Sequence, residues 1–243
     1  GLSGSVPMVG VVSGYCFAGN AALLGCCDVI IATTNSSIGM GGPVMIEGGG
    51  LGVFKPEDVG PMNVQTQNGV VDIEAADDDE AVSLAKKYLS YFQGATTSWV
   101  AGDQLKLRSL IPKSRKRAYN VRTVIKAIAD TDSFLEIRPK FGPSMVTGFL
   151  RIEGRPFGVI ANNSMHMAGA IEAEGADKVA RLMQICNAHG LPILSLCDTP
   201  GFMVGPEIEK RAQVRHVCRM FVIGSHLTVP YFTIVLRRGY GLG

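Results

Sequence analysis

The chain has 243 residues, 47% of them hydrophobic and 18% charged, against about 25% charged in an average globular protein, which excludes a disordered tail and predicts a sizeable buried core. Its 30 glycines, roughly 12% where ~7% is usual, cluster without a three-residue period and so exclude collagen. A net charge of +2 with 4 histidines is too balanced for a dedicated nucleic-acid surface.

The sequence opens Gly1-Leu2-Ser3-Gly4 with neither Met nor a charged leader, so no targeting peptide is expected, and both ends are expected to be cut. Residues 6–12 form a continuous apolar run, the pattern of a strand buried on both faces. A helix is predicted over 18–24 and a second buried strand over 25–32. The most apolar window, 15–33, is interrupted by Asn20, Gly25 and Asp28. A carboxylate at a membrane centre costs several kcal/mol, on the order of 3 by insertion scales, so this window reads as core and not as a span. Six cysteines lie in apolar runs without a CxxC pair and are expected to be buried thiols of a reducing compartment.

Two glycine clusters, Gly39 to Pro43 and Glu47 to Gly52, predict loops. Asp77-Asp78-Asp79-Glu80 opens a helix with an acidic first turn, and Val82, Ala85, Leu89 and Phe92 follow at helical spacing up to a stop at Gly94. Between Lys106 and Lys126 stand eight basic residues and no acidic one, so the linker between two units is placed there. The expected division is a first unit over 1–95, a basic linker and helix over 96–130, and a second unit over 131–243.

The second unit begins with a helix over 118–129 and two strands, 146–152 and 157–161. Helix 176–188 follows, with Val179, Leu182, Met183 and Cys186 on one face, then strand 191–197, helix 207–225 and strand 229–236. Alternation of this kind implies parallel crossovers and an α/β fold. Val6-Pro7 leading to Gly14-Tyr15 is echoed by Val229-Pro230 leading to Gly239-Tyr240, which suggests a duplication.

Glycine turns after buried strands expose backbone N–H groups that can hold a phosphate or an oxyanion; the alternative is that these glycines allow close helix packing. Ala18-Gly19 and Gly241-Leu242-Gly243 are such turns. Ser164, His166 and Asp198 lack a nucleophile elbow and read as a polar loop with a turn-capping Asp. Asp198-Thr199-Pro200-Gly201-Phe202 ends a strand where open α/β sheets place ligands, or is a simple Pro-Gly turn. No dinucleotide or Walker fingerprint is present. The basic stretch can meet the phosphates of coenzyme A or an acidic partner, although a solvated linker is favoured.

Several segments together resemble the carboxyltransferase (β) subunit of biotin-dependent acyl-CoA carboxylases, the acetyl-, propionyl- and methylcrotonyl-CoA group. They are Tyr119-Asn120-Val121-Arg122, Phe134-Leu135-Glu136, Val146-Thr147-Gly148-Phe149, residues 154–162, Asp198 to Phe202, Arg215-His216, and Val229-Pro230 running into Gly239-Tyr240-Gly241. The resemblance implies two crotonase-like β-β-α spiral domains, both incomplete because the family chain is about twice as long, and implies that this length alone is inactive. It further implies carboxyl transfer from carboxybiotin on a carrier protein to the α-carbon of a coenzyme A thioester, without metal. On this chain the first oxyanion hole falls at Ala18 and Gly19 and the second at Gly241, Leu242 and Gly243, where many members have Gly-Gly-Ala. Phe17, Gly41, Gly42, Pro43, Pro200, Gly201 and Phe202 are the implied substrate contacts. Implied partners are biotin carboxylase and biotin carrier subunits and further copies of the chain, as dimers or hexamers, in the cytoplasm or mitochondrial matrix, with no membrane or nucleic acid. Alternatives are an enoyl-CoA hydratase or isomerase, for which Glu47 is the available acid, and a non-catalytic subunit.

Overall fold

A computed structural model describes residues 1–241 and divides the chain into two units, Gly1–Ser90 and Tyr91–Gly243. The first is built from β1 (Val9–Val12), β2 (Tyr15–Phe17), α1 (Gly19–Gly25), β3 (Val29–Thr33), β4 (Ser37–Gly39), α2 (Pro43–Gly48), α3 (Met62–Gln65), β5 (Ile73–Ala75) and α4 (Asp78–Ser90). Strands β1, β3 and β5 form one parallel sheet, and β2 and β4 form a separate parallel pair. The apolar run of β3 is buried at every position, as a strand covered on both faces must be. Leu24 of α1 packs with Val12, Ile30 and Ile38 in the core.

Two expectations are corrected here. The stretch 39–52 is not all loop: Pro43 fixes the backbone at the first turn of a helix, and Val44, Met45, Ile46 and Glu47 continue it. Helix α4 buries Ala81, Ala85 and Tyr88 while Val82 is exposed, so its core face is rotated by one position.

The second unit comprises α5 (Leu107–Leu110), α6 (Val121–Ile128), β6 (Leu135–Ile137), β7 (Met145–Ile152), β8 (Arg155–Asn162), α7 (Ala173–Ala188), β9 (Ile193–Thr199), α8 (Pro206–Glu209), α9 (Gln213–Gly224) and β10 (Tyr231–Gly239). One sheet runs β10-β9-β8-β7-β6; β6, β7 and β8 are antiparallel neighbours and β8, β9 and β10 are parallel. Alternate residues of β7 serve the two faces. Val146 and Leu150 meet Val121, Val124 and Ile125 of α6, whereas Gly158 of β8 faces Cys186 of α7 so closely that a Cβ there would stand 2.3 Å from its sulfur. Full burial of Val121, Val124 and Ile125 contributes up to about 1.5–3 kcal/mol each.

The predicted helix 207–225 is broken, because Ala212 adopts a left-handed conformation at φ 56° between α8 and α9. The cysteines are also not uniformly buried: Cys186 is, while Cys26 and Cys218 are exposed, since their positions fall on helix ends and outer faces. No helix of the described residues is long and apolar enough to cross a membrane, and the described residues contain no cluster of metal-ligating side chains.

Lys178, on α7, is 1% exposed, and its Nζ donates to the carbonyls of Phe141 (3.0 Å) and Met145 (2.8 Å). Burial pushes its ammonium down to about 7. The unfolded chain therefore binds a proton that the folded chain lacks between pH 7 and the ordinary lysine range, so stability rises with pH there, by at most about 1.4 kcal/mol per unit. Thermal midpoints measured from pH 7 to 9 are expected to climb, and Lys178→Met is expected to flatten that climb. An unchanged slope in the variant would show that Lys178 is not its source.

Candidate functional site

In the first unit the parallel pairing of β2 with β4 sets Phe17 opposite Gly39, and the chain then turns sharply into α1. The turn is made by Ala18, at φ 55° and ψ −128°, a region that a residue with a Cβ rarely enters and that costs on the order of 1–3 kcal/mol. The Ala18 N–H donates to Gly39 O at 3.2 Å, and the Ala18 carbonyl accepts from Ala22 N at 3.0 Å. Of the Ala18-Gly19 pair, the amide left without an acceptor among the described residues is that of Gly19. A Cβ built on Gly19 meets nothing within 4 Å, so close packing does not explain this glycine. Gly42 is different: a Cβ there would lie 3.1 Å from the Phe17 ring. Phe17, Ala18, Gly19, Gly41, Gly42 and Pro43 thus gather around the β2–β4 pair. Glu47 is exposed on α2.

In the second unit Pro200, Gly201 and Phe202 follow β9, and Tyr240 and Gly241 follow the neighbouring β10. Tyr240 N donates to Thr199 O at 3.2 Å. Gly201, at φ +114°, is in a conformation that strains any side chain, and a Cβ there would stand a tight 3.1 Å from Tyr240 O. Gly241, at φ +65°, lies against Gly201 and the Pro200 carbonyl. Phe202 stacks edge-on against Phe221 of α9 with centroids 5.7 Å apart. Leu242 and Gly243 fall outside the described residues.

Behind this turn lies a charge cluster that the sequence reading missed. Asp198 does not cap its own backbone; Thr199 Oγ1 does, accepting from Gly201 N at 3.0 Å. Asp198 is fully buried and takes Arg237 Nε at 2.9 Å and Arg238 Nε at 3.0 Å on its two oxygens. Arg237 is itself 6% exposed, lies 4.6 Å from the centroid of Tyr119, and donates through Nη1 to the carbonyls of Ser114 (3.1 Å) and Arg117 (2.7 Å). Burial, and then the Asp198 charge, push the Tyr119 phenol far above its ordinary range. Ser164 spends its hydroxyl on the backbone of Tyr119, donating to O at 2.9 Å and accepting from N at 3.0 Å, so it steadies this scaffold and is no nucleophile. The available signal was Arg237-Arg238 at the end of an apolar strand, because buried cations require a carboxylate.

Two cations share one carboxylate, so the cluster keeps a positive charge beside the Gly241 turn. A recess of about 500 Å³ lined by Phe92, Phe157, His189, Pro192 and Phe232 lies at the opposite, amino ends of β9 and β10. Ligands of open α/β sheets sit at carboxyl ends, which favours the Pro200–Gly241 turn over that recess.

Comparison with known proteins decides the family. The model of the carboxyl transferase domain matches residues 1–243. The chain belongs to the carboxyl transferase domain family. Within that family it is 32% identical over 249 residues to the methylmalonyl-CoA carboxyltransferase 12S subunit of Propionibacterium freudenreichii subsp. shermanii, covering 99% of this chain and 48% of that one. A solved single-chain, multi-domain long-chain acyl-CoA carboxylase superposes with a TM-score of 0.98 at 58% identity, over 100% of this chain and 24% of that one. Transcarboxylase 12S, a hexamer solved with methylmalonyl-CoA and methylmalonic acid bound, gives a TM-score of 0.89 at 31% identity over 99% of this chain and 49% of that one. The chain spans about half the length of the curated relatives it matches.

Proposed function

We propose that the full-length protein transfers a carboxyl group from carboxybiotin, carried on a separate protein or domain, to the α-carbon of an acyl-CoA. The observation that carries this reading is the carboxyl transferase family match over the whole chain. Relatives described as acting on methylmalonyl-CoA and long-chain acyl-CoA support the substrate class. The two glycine turns, each following strands of an α/β unit, support a crotonase-like arrangement with one oxyanion hole per unit.

The chemistry asks little of side chains. The N–carboxyl bond of carboxybiotin breaks to give CO₂ and a ureido anion, that nitrogen takes the α-proton of the acyl-CoA, the thioester carbonyl becomes an enolate oxygen, and the enolate carbon attacks the CO₂ carbon to leave a new carboxylate. What lowers the barrier is N–H donors fixed where the oxygen charge appears, worth about 10²–10³ in rate for one donor. Gly19 supplies such a donor in the first unit. In the second, the Gly241 turn is offered on a frame fixed by Gly201 and Asp198, and its surplus positive charge favours a developing anion. Phe17, Gly41, Gly42 and Pro43 border the first turn, and Pro200, Gly201 and Phe202 the second, as substrate contacts. Biotin carboxylase and carrier components, and further copies of the chain as in the hexameric relative, are the proposed partners.

The test is carboxylation of acetyl-, propionyl- and palmitoyl-CoA by the full-length protein with a carboxylated carrier, run beside hydration of crotonyl-CoA. Carboxylated product with no hydration is expected. Hydration without carboxylation, abolished by Glu47→Gln, would replace this reading with a hydratase.

A further inference from the structure

Gln213 opens α9 directly after Ala212, whose left-handed backbone at φ 56° and ψ 41° separates that helix from α8. Its side chain is buried, and its Nε2 donates to two carbonyls, Ile171 O at 2.9 Å and Met203 O at 3.2 Å. Because both acceptors are carbonyl oxygens, the amide has one orientation. Its Oε1 is buried without a hydrogen-bond partner among the described residues. An unmet buried acceptor is a cost, so what this residue contributes is its two N–H bonds. Docking of α9 does not require them: His216 and Arg219 already fasten that helix to Asp177 of α7, at 2.7 and 2.6 Å.

The two carbonyls flank the strip that borders the second glycine turn. Ile171 pairs with Phe202 in an isolated parallel bridge, its N–H donating to Gly201 O at 3.1 Å and its carbonyl accepting from Met203 N at 2.9 Å. A pairing this short is weak by itself, and Gln213 adds one bond to each side of it. Gly201, inside the strip, is also a wall of the turn, since a Cβ built on Gly241 would stand 3.6 Å from Gly201 Cα. We propose that Gln213 is the positioning residue of the second glycine turn: it ties Ile171 to Met203 and so fixes Gly201 and Phe202 against Gly241. Phe202 has its other support from the same helix, in the edge-on contact with Phe221. The proposal rests on the transferase reading above and adds to it a side chain, outside both turns, on which the geometry of one of them depends. A misplacement of about 1 Å slows a reaction about 10²-fold, so the effect falls on rate more than on binding.

The experiment compares the full-length wild type with Gln213→Met, which keeps length and bulk without donors, and with Val217→Ala, which removes buried bulk from the same helix and leaves the amide in place. Hydrogen exchange is read at single amides by mass spectrometry. In Gln213→Met the Ile171 and Met203 amides are expected to exchange about tenfold faster while those of β8 and β9 hold. With the acyl-CoA that the wild type carboxylates fastest, kcat is expected to fall about 10–100-fold and KM to stay within about twofold. Val217→Ala is expected to lower the thermal midpoint without either change. If Gln213→Met does not fold, Gln213→Asn takes its place, because its amide is one carbon too short to span both carbonyls. Unchanged exchange at Ile171 and Met203, or a kcat no lower than that of Val217→Ala, overturns the proposal. Exchange is measured without substrate, so it decides whether Gln213 fixes the strip even where the wild type transfers no carboxyl group. That failure would strike the transferase reading only.

Discussion

Replacing Gly19 with proline is expected to lower carboxyl transfer by the full-length protein about 10²–10³-fold, with the fold intact. Proline removes one N–H and fixes φ near −65°, and Gly19 is the first residue of α1, where that angle fits and no intrahelical bond is lost. The space a side chain would take is open. Gly19→Ala keeps the N–H and serves as the reference, so the rate difference between the two variants isolates the donor. Its loss should appear in kcat, because a donor aimed at the enolate acts on the transition state more than on the bound thioester. A proline variant within threefold of the alanine variant would remove Gly19 from the mechanism.

The second large effect is on stability. Asp198→Ala leaves Arg237 and Arg238 buried without their carboxylate, and breaking a buried pair in this way costs about 3–5 kcal/mol. For a cooperative unit of this size that lowers the thermal midpoint by roughly 10 °C. The loss extends to function, since the two arginines lead directly into Gly239-Tyr240-Gly241, Arg237 holds the carbonyls of Ser114 and Arg117, and Arg238 holds that of Ala168. Asp198→Asn keeps the shape and an acceptor while removing the charge, and should fall between wild type and alanine. Scanning calorimetry decides the matter; a change under 1 kcal/mol for Asp198→Ala would mean that the arginines find other partners at little cost.

The sequence carried much of the fold because its strong patterns are short in range. Buried strand β3 announces itself as a nearly continuous apolar run, and the α7 face of Val179, Leu182, Met183 and Cys186 is buried as its spacing requires. The break at Ala212 was not legible, since alanine favours helix and its left-handed conformation is imposed by the surrounding chain. Strand β6 was missed because three residues give no period, and it is fixed by antiparallel pairing with β7. Of the candidate site, the two glycine turns could be located but not divided into roles. Gly42 and Gly201 are glycine because Phe17 and Tyr240 crowd them, and Gly19 is glycine in open space. That distinction depends on neighbours far along the chain. The Asp198 clamp was hidden for the same reason, its partners lying 39 and 40 residues away.

The most direct measurement of the central claim follows a labelled carboxyl group. The full-length protein is incubated with an acyl-CoA and a carrier bearing ¹³C-carboxybiotin, and the products are read by mass spectrometry. The account predicts that the label appears on the acyl-CoA as one added carboxyl while the carrier returns to unmodified biotin. Loss of label from the carrier as free bicarbonate, with the acyl-CoA unlabelled across acetyl, propionyl and palmitoyl chains, would contradict it.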